Sequence, residues 1–320
     1  MSDYFPQIKR VCIFGVGGVG GYFGGKIAGA ISNRQSSELE VYFVARGEHL
    51  KAIKQCGLTI KTPEGIMSAV KPALATGDIS EIPPPDLILL CVKSYDLYRA
   101  ITSIKPIVKH NTVIIPLLNG IDISERIREI LDTGIILPAC LYLGTHIESP
   151  GVINQSGGNG VIIFGPDKKI PEYHGENVKA FFEKTGVKFE WHDDPLPLLW
   201  EKYIFIAAFG LVSAFTDKSL GAIMEDDKLR KIVRDVMAEI YTLSRMKAVR
   251  LPEDIIEKSM KKAGEFPYEA RTSYQRDVAV KGRFNEGDLF GGTIIRAGKA
   301  LGFPTPVTES IYRQIELRVN

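Results

Sequence analysis

The first part of the chain alternates short apolar runs with stretches of helical periodicity, a pattern typical of a parallel sheet joined by helices. The runs Leu87–Val92 and Val113–Leu117 are apolar at almost every position, as in strands that are covered on both faces. The sequence Thr62-Pro63-Glu64-Gly65 predicts a hairpin turn. We predict strands at Arg10–Phe14, Val41–Ala45, Leu58–Lys61, Ala69–Pro72, Leu87–Val92 and Val113–Leu117, and helices at Gly18–Ala30, His49–Gln55, Tyr95–Val108 and Ser124–Leu131.

Between Ile135 and Trp191, strand-like segments separated by Gly and Pro replace this alternation. We expect these segments to extend the same sheet, and a helix at Glu176–Lys184 and a strand at Val187–Trp191 to close this part. The strand-like segments are Leu137–Ile147, Gly151–Asn154 and Gly160–Phe164.

From Leu198 onward the sequence contains almost no strand pattern and predicts helices, the last of which ends at Gly302. The fold class that follows is α/β, with a Rossmann-type doubly wound N-terminal domain at 1–194 and an all-helical C-terminal domain at 195–320. The predicted helices are Trp200–Phe215, Asp226–Met246, Pro252–Ala263 and Leu289–Leu301.

A glycine-rich turn lies between the first predicted strand and the first predicted helix. The order strand, GxGxxG, helix is the dinucleotide-binding fingerprint, because its glycines permit a tight turn, close approach of a pyrophosphate and close helix packing. The helix N-terminus also presents free N–H groups and a positive dipole end to the phosphates. We therefore predict cofactor contacts from Gly15, Val16, Gly17, Gly18, Val19 and Gly20.

Arg46 follows the second predicted strand, where an NAD site usually places Asp or Glu for the ribose 2′-hydroxyl. The next carboxylate in the sequence is Glu48. A guanidinium is suited to a 2′-phosphate, so Arg46 predicts a preference for NADP. The alternative is an ordinary surface arginine at the end of a strand.

Composition narrows the class of protein. The 320 residues are 45% apolar and 24% charged with a net charge of +2, which fits a globular protein of two domains and provides no basic field for nucleic acid. Four dispersed cysteines without a CxxC motif favour buried free thiols, and we predict no metal site. The first ten residues contain no signal-peptide pattern, and the apolar run Ile204–Phe215 is too short to span a bilayer. We expect a cytoplasmic enzyme with no membrane partner.

Polar residues just beyond predicted strand ends are candidates for chemistry, because nucleotides bind at the carboxyl ends of parallel strands. Three such positions are Lys93-Ser94, Asn119-Gly120, and Thr145 or His146. Each of them is equally consistent with ordinary loop chemistry.

Lys202 lies on a predicted helix beside Phe205, Ile206 and Phe209, and no charged residue follows it until Asp217. Such a lysine either extends its ammonium group to solvent or is held at a cleft. Desolvation in a cleft would lower its pKa and make it a better proton donor near neutral pH.

Ser273, Asp277 and Glu286 lie in the last third of the chain. A hydroxyl and carboxylates near a buried lysine could bind a small oxygenated substrate. Loop or helix-cap chemistry explains the same residues equally well, and their spacing does not decide between the two.

Taken in order, these motifs resemble those of ketopantoate reductase (2-dehydropantoate 2-reductase), and the resemblance runs nearly from end to end. The matching segments are Val11–Ala28, Arg46, Val92-Lys93-Ser94, Leu118-Asn119-Gly120, Leu199-Trp200-Glu201-Lys202, Thr272–Asp277, Asn285–Asp288 with Gly292, and Pro304-Thr305-Pro306.

The resemblance implies a role for each matching residue. The glycine-rich turn would hold the pyrophosphate of NADPH and Arg46 its 2′-phosphate, while Lys93 would lie near the nicotinamide ribose and the substrate. Asn119 would bind the cofactor and help to order the site. Lys202 would be the general acid that protonates the ketone oxygen. Ser273 would hold the substrate carboxylate, and Glu286 would bind substrate hydroxyl groups and pair with Lys202.

The sequence departs from the family at two positions. The family usually carries Asn four and eight residues after the catalytic lysine, where this chain has Ile206 and Gly210. Losing two hydrogen-bonding groups could cost a few kcal/mol of substrate binding. Either the substrate is a more apolar 2-keto acid, or other groups bind pantoate.

Three hypotheses follow from the sequence. The chain is an NADPH-dependent ketopantoate reductase, a related reductase of another 2-keto acid, or a non-catalytic NADP-binding protein that signals redox state. A homodimer is possible, because the helices after Leu198 could pack within one chain or between two.

Overall fold

The protein's computed structural model describes residues 5–33, 38–280, 282 and 284–319. The chain divides into two units. One consists of residues up to Leu118 together with Ile123–Pro195, and the other consists of Asn119–Asp122 together with the residues from Leu196 onward. The segment Asn119–Asp122 therefore belongs with the later helices, although in sequence it lies between the two parts of the first unit. The boundaries 1–194 and 195–320 stay a prediction.

The N-terminal unit contains a six-stranded parallel sheet in the order β5-β2-β1-β6-β7-β8, which confirms the predicted fold class. Strands β6 and β7 are buried at every position, as their apolar sequences require. The edge strand β5 was not predicted, because its three residues carry little pattern. The elements are β1 (Arg10–Phe14), α1 (Gly18–Asn33), β2 (Glu40–Val44), α2 (Gly47–Cys56), β5 (Leu74–Thr76), β6 (Leu87–Leu90), α3 (Leu97–Ile104), β7 (Val113–Pro116), α4 (Ile123–Arg128) and β8 (Ile135–Ile136).

The predicted strand-like segments from Leu137 onward do not extend this sheet, contrary to the sequence-based expectation. They form a second sheet in the order β11-β10-β3-β4, with β9 paired to β10. Pro138 is the second residue after β8, and it has no N–H group to continue the parallel ladder. The predicted hairpin is confirmed as the antiparallel pair β3–β4, which meets at Thr62 and Gly65. The elements are β3 (Leu58–Thr62), β4 (Gly65–Val70), β9 (Ala139–Ser149), β10 (Val152–Phe164), α5 (Glu176–Thr185) and β11 (Phe189–Trp191).

Helix α1 lies between the two sheets. A Cβ atom added to Gly24 would be 2.9 Å from the Phe43 ring on β2, and one added to Gly25 would be 2.6 Å from Ile60 on β3. Real side chains do not tolerate such distances, so the helix approaches both sheets at glycine positions. Its N-terminus is thereby fixed beside the glycine-rich turn.

The C-terminal unit is helical, as predicted, and is built around α6. This helix is 21 residues long and apolar enough to span a membrane, but 67% of its most apolar stretch is buried inside the protein. The run Ile204–Phe215 is only part of it. The structure adds three helices that the sequence pattern did not predict, α7, α10 and α12. The elements are α6 (Leu196–Thr216), α7 (Leu220–Glu225), α8 (Asp227–Met246), α9 (Ile255–Ala263), α10 (Ser273–Val278), a π-helical turn (Asp288–Gly292), α11 (Thr293–Leu301) and α12 (Pro306–Val319).

Glu239 provides the first testable prediction, on stability. This side chain of α8 is 7% exposed, and its carboxylate accepts hydrogen bonds from the Val307 and Thr308 N–H groups at 2.8 and 3.0 Å and from the Thr308 hydroxyl at 2.6 Å. Glu239→Ala leaves these donors at the start of α12 unpaired, so we expect the free energy of unfolding to fall by about 3 kcal/mol in a denaturant titration. The exposed Glu253→Ala should change it by less than about 0.5 kcal/mol. Equal denaturation midpoints for the two variants would contradict this role.

Candidate active site

A cavity of about 590 Å³ lies at the carboxyl ends of β1, β2, β5 and β6 in the N-terminal unit. Strand β1 is flanked by β2 on one side and β6 on the other, which makes this the switch point where nucleotides bind in such sheets. The predicted cofactor residues that line it are Gly15, Val16, Gly17, Arg46 and Lys93. Gly18, Val19 and Gly20 form the first turn of α1, next to the cavity-lining turn.

The positions of the turn differ in whether the fold requires glycine there. Gly15 has φ +94°, and a Cβ there would be 2.8 Å from the Cys91 carbonyl oxygen. A Cβ at Gly20 would be 2.1 Å from the Gly15 carbonyl oxygen. The fold itself therefore requires these two glycines. A Cβ at Gly17 would meet no described atom within 4 Å, so the fold does not require glycine there, although Gly17 lines the cavity.

The start of α1 is suited to an anion. Its first turn contains no acidic residue, and its first N–H groups have no intrahelical partner. Thr145 on β9 lies beside it, because a Cβ at Gly18 would be 2.7 Å from the Thr145 carbonyl oxygen. The Thr145 hydroxyl is buried and has no hydrogen-bond partner among the described residues. His146, the alternative candidate, is exposed.

Arg46 lies between β2 and α2, with its side chain 77% exposed. Its Nη2 atom donates a hydrogen bond to Oδ2 of Asp96 at 2.7 Å. Asp96 lies just before α3, and Arg99 lies on α3, and both line the same cavity. Sequence reasoning missed these two residues, although Asp96 could have been found by the same rule that singled out Lys93-Ser94 beyond the end of β6.

His49 is a second residue that sequence reasoning missed, because nothing in the sequence distinguishes this histidine on α2. It lines the cavity but is only 9% exposed. Its Nδ1 accepts a hydrogen bond from the Gly151 N–H group at 3.0 Å, and its Nε2 has no partner by distance and angle in the described part of the chain. Burial lowers the pKa of His49, and the nearby Val16 carbonyl partly opposes this. The pocket wall is therefore occupied by a neutral ring at neutral pH.

The cysteines are free, as predicted, but not all are buried. Cys12 and Cys140 are buried, Cys91 is partly buried, and Cys56 is exposed at the end of α2. Burial raises the pKa of Cys12 to about 12, and it also raises the pKa of Cys91. These two thiols are therefore poor nucleophiles. Among the described residues, no cluster of His, Cys, Asp or Glu could hold a metal ion.

In the C-terminal unit, Lys202 and Asn119 lie together. The Lys202 ammonium nitrogen donates a hydrogen bond to Oδ1 of Asn119 at 2.7 Å. Lys202 is half-buried on α6, and the contact joins residues 83 positions apart in the sequence. One of the three N–H groups of a candidate acid is thus oriented by a neutral amide.

A cavity of about 230 Å³ lies beside this pair, with Asn119, Ile206, Gly210 and Ser273 in its lining. Gly210 has room for a side chain, because a Cβ there would have no described atom nearer than 3.9 Å. Most of the wall is apolar and aromatic. The other lining residues are Phe205, Phe209, Leu220, Phe266, Ala270, Arg271, Thr272, Tyr274 and Phe290.

Ser273 is the first residue of α10, but Thr272 provides the cap by accepting a hydrogen bond from the Gln275 N–H group at 3.1 Å. The exposed Ser273 residue therefore lines the cavity without a capping role. Glu286 is 4% exposed and lies just before the π-helical turn, and Asp277 is 7% exposed on α10. The pairing of Glu286 with Lys202 stays a prediction.

Comparison with protein families finds two matches that together cover most of the chain. Residues 11–169 match the family described as ketopantoate reductase PanE/ApbA, and residues 196–318 match its C-terminal domain. A Bacillus subtilis protein named uncharacterized oxidoreductase YkpB is 26% identical, covering 96% of this chain and 98% of its own length. A 2-dehydropantoate 2-reductase of Mesorhizobium japonicum is 25% identical, covering 94% and 95%.

Solved structures share the fold. A PanE/ApbA family ketopantoate reductase from Ralstonia eutropha is 31% identical, with a TM-score of 0.85 over 97% of this chain and 98% of its own. D-mandelate dehydrogenase with NADH and anilino(oxo)acetate has a TM-score of 0.80 at 21% identity, covering 97% and 98%. A dimeric ketopantoate reductase from Staphylococcus aureus has a TM-score of 0.75 at 16% identity, covering 97% and 98%. The two family matches and the 31% identical Ralstonia eutropha protein show that the chain belongs to the ketopantoate reductase family of NAD(P)-dependent oxidoreductases.

Proposed function

We propose that this chain reduces the ketone of a 2-keto acid with NADPH, and that Lys202 is the general acid. The observation that supports this most directly is the Lys202 ammonium group, held 2.7 Å from the Asn119 amide oxygen beside a cavity that also contains Ser273. Reduction leaves a developing alkoxide on the ketone oxygen, and a cation with a transferable proton stabilises that charge.

NADPH, when bound, supplies the hydride that is added to C2 of the keto acid. Lys202 would give a proton to the ketone oxygen, so that a 2-hydroxy acid forms, and the lysine would recover its proton from solvent. Asn119 would orient the ammonium group and also contact the cofactor. Ser273 would bind the substrate carboxylate, and Glu286 would bind substrate hydroxyl groups.

For the cofactor, we propose that the turn at Gly15–Gly20 holds the pyrophosphate, that Arg46 binds the 2′-phosphate, and that Lys93 lies near the nicotinamide ribose. The acid-free start of α1 and the open space at Gly17 support the first assignment. The exposed guanidinium of Arg46 in the cavity wall supports the second.

Ketopantoate is the first candidate substrate, with (R)-pantoate as product in pantothenate and coenzyme A biosynthesis. Family membership supports it. The second candidate is a 2-keto acid with an apolar side chain, and the lining of the 230 Å³ cavity favours it. Ile206 and Gly210 offer no side-chain hydrogen bond to a substrate hydroxyl, and the neighbouring wall is largely aromatic. We also propose that the enzyme acts in the cytoplasm and forms a homodimer.

Gly17→Ala tests the cofactor assignment. Since the added methyl group meets no described atom within 4 Å, the melting temperature should stay near that of the parent protein. The Kd for NADPH should rise at least about tenfold, because the methyl group would stand where the pyrophosphate approaches the backbone. Gly20→Ala is the contrasting variant, since its Cβ would be 2.1 Å from the Gly15 carbonyl oxygen and should lower the melting temperature itself. Unchanged NADPH binding by Gly17→Ala would argue against the assignment.

Lys202→Ala and Lys202→Arg test the acid. We expect Lys202→Ala to lower kcat by about 10²- to 10⁴-fold. Lys202→Arg keeps the positive charge but gives up its proton far less readily, so most of the loss should persist. NADPH binding, measured by fluorescence titration, should be retained in both variants. Near-normal turnover by Lys202→Ala would rule out its role as the acid.

A panel of 2-keto acids distinguishes the substrate hypotheses, with NADPH oxidation followed by absorbance. A kcat/KM for ketopantoate that exceeds those of the other acids by orders of magnitude would establish the first candidate. Higher kcat/KM for acids with branched apolar or aromatic side chains would establish the second, and Ile206→Asn combined with Gly210→Asn should then shift preference toward ketopantoate. NADPH binding with no turnover of any 2-keto acid would instead support a non-catalytic NADP-binding protein.

A further inference from the structure

The lining of the nucleotide cavity includes two arginines, Arg46 and Arg99, and two carboxylates, Asp78 and Asp96. Arg46 is paired with Asp96 at 2.7 Å. Arg99, one turn further along α3, lines the same cavity, and its side chain makes no hydrogen bond or ion pair with any residue that the structure describes. The cavity therefore has one engaged guanidinium and one available guanidinium.

Asp96 occupies the N-cap position of α3, but its side chain makes no capping hydrogen bond there. Within the described ranges, its carboxylate has Arg46 as its partner and no other. Asp78, the other carboxylate in the cavity lining, accepts hydrogen bonds from Ser80 instead.

We propose that Asp96 sets the choice between NADPH and NADH by competing with the 2′-phosphate for Arg46. This inference rests on the proposed dinucleotide site. A 2′-phosphate carries between one and two negative charges near neutral pH, so it must separate Arg46 from Asp96 and remain near a like charge. Arg99 supplies a second cation for that phosphate.

The same carboxylate favours the binding of NADH. Its ribose 2′-hydroxyl can donate a hydrogen bond, and the Asp96 carboxylate in the cavity wall is a suitable acceptor. NADH can therefore bind while the Arg46–Asp96 pair stays intact. The Asp96 carboxylate thus lowers the affinity for NADPH and raises the affinity for NADH. The preference for NADPH over NADH is therefore smaller than Arg46 alone would give.

The side chain of Arg46 is 77% exposed and that of Asp96 is 26% exposed, so solvent screens their attraction. An incoming phosphate with two charge-assisted hydrogen bonds can replace such a pair. We therefore expect the competition to change the affinity for NADPH by a few-fold to tenfold, so that the protein binds both cofactors.

Asp96→Asn is the decisive variant, because it keeps the size of the side chain and removes its charge. We expect the Kd for NADPH to fall by about three- to tenfold and the Kd for NADH to rise, both measured by fluorescence titration of the full-length protein. Arg99→Gln should raise the Kd for NADPH and leave that for NADH within about twofold. The opposite signs for the two cofactors distinguish competition from a general loss of structure.

Glu48→Gln is the matched control. Glu48 lies two residues after Arg46, pairs with Lys51 at 2.7 Å, and does not line the cavity. Glu48→Gln removes one negative charge near Arg46, as Asp96→Asn does. An equal gain in NADPH affinity would therefore show a diffuse charge effect and overturn the role of Asp96. An unchanged ratio of the two Kd values in Asp96→Asn would also overturn it while leaving the proposed reductase intact. Failure of the parent protein to bind either dinucleotide would overturn both proposals.

Discussion

The N-terminal unit depends on the close approach of one helix to two sheets. Helix α1 contacts the parallel sheet at Gly24, against Phe43, and the second sheet at Gly25, against Ile60. Glycine inside a helix is unfavourable by roughly 0.5–1 kcal/mol relative to alanine, so these positions reduce the intrinsic stability of α1. Burial against both sheets offsets this, and it leaves the helix little freedom to shift. The start of α1 is therefore held at the switch point of the sheet, where its N–H groups can face an anion.

The same constraint explains why the second sheet belongs to the nucleotide site. A third glycine of α1, Gly21, faces Ile153 of β10, since an added Cβ would be 2.6 Å from that side chain. The partner strand β9 brings Thr145 against Gly18 at the first turn. The turn between β9 and β10 supplies the Gly151 N–H group that holds His49 in the cavity wall. The second sheet thus positions two polar side chains that the parallel sheet alone would not provide.

The sequence predicted what depends on local pattern. The apolar runs gave β1, β6 and β7 nearly to the residue, and the fingerprint identified the turn before α1. Contacts that depend on distant parts of the chain were not predictable, because no local rule fixes them. The Arg46–Asp96 pair joins residues 50 positions apart. The second sheet is built around β10, a strand of 13 residues whose glycines made its sequence look like two short strands. The roles proposed for Ser273 and Glu286 come from the family resemblance, which the structure neither requires nor contradicts.

Two cations of this chain respond differently to the groups beside them. The Asn119 amide oxygen accepts a hydrogen bond from the Lys202 ammonium group and orients it without adding a charge. A carboxylate beside the same lysine, as in the predicted pairing with Glu286, would favour its charged form and weaken it as an acid. The strength of the proposed acid therefore depends on the balance between such a pair and the desolvation of the lysine. Arg46 has no proton to give in the proposed reaction, so its Asp96 partner can act only on what the guanidinium binds.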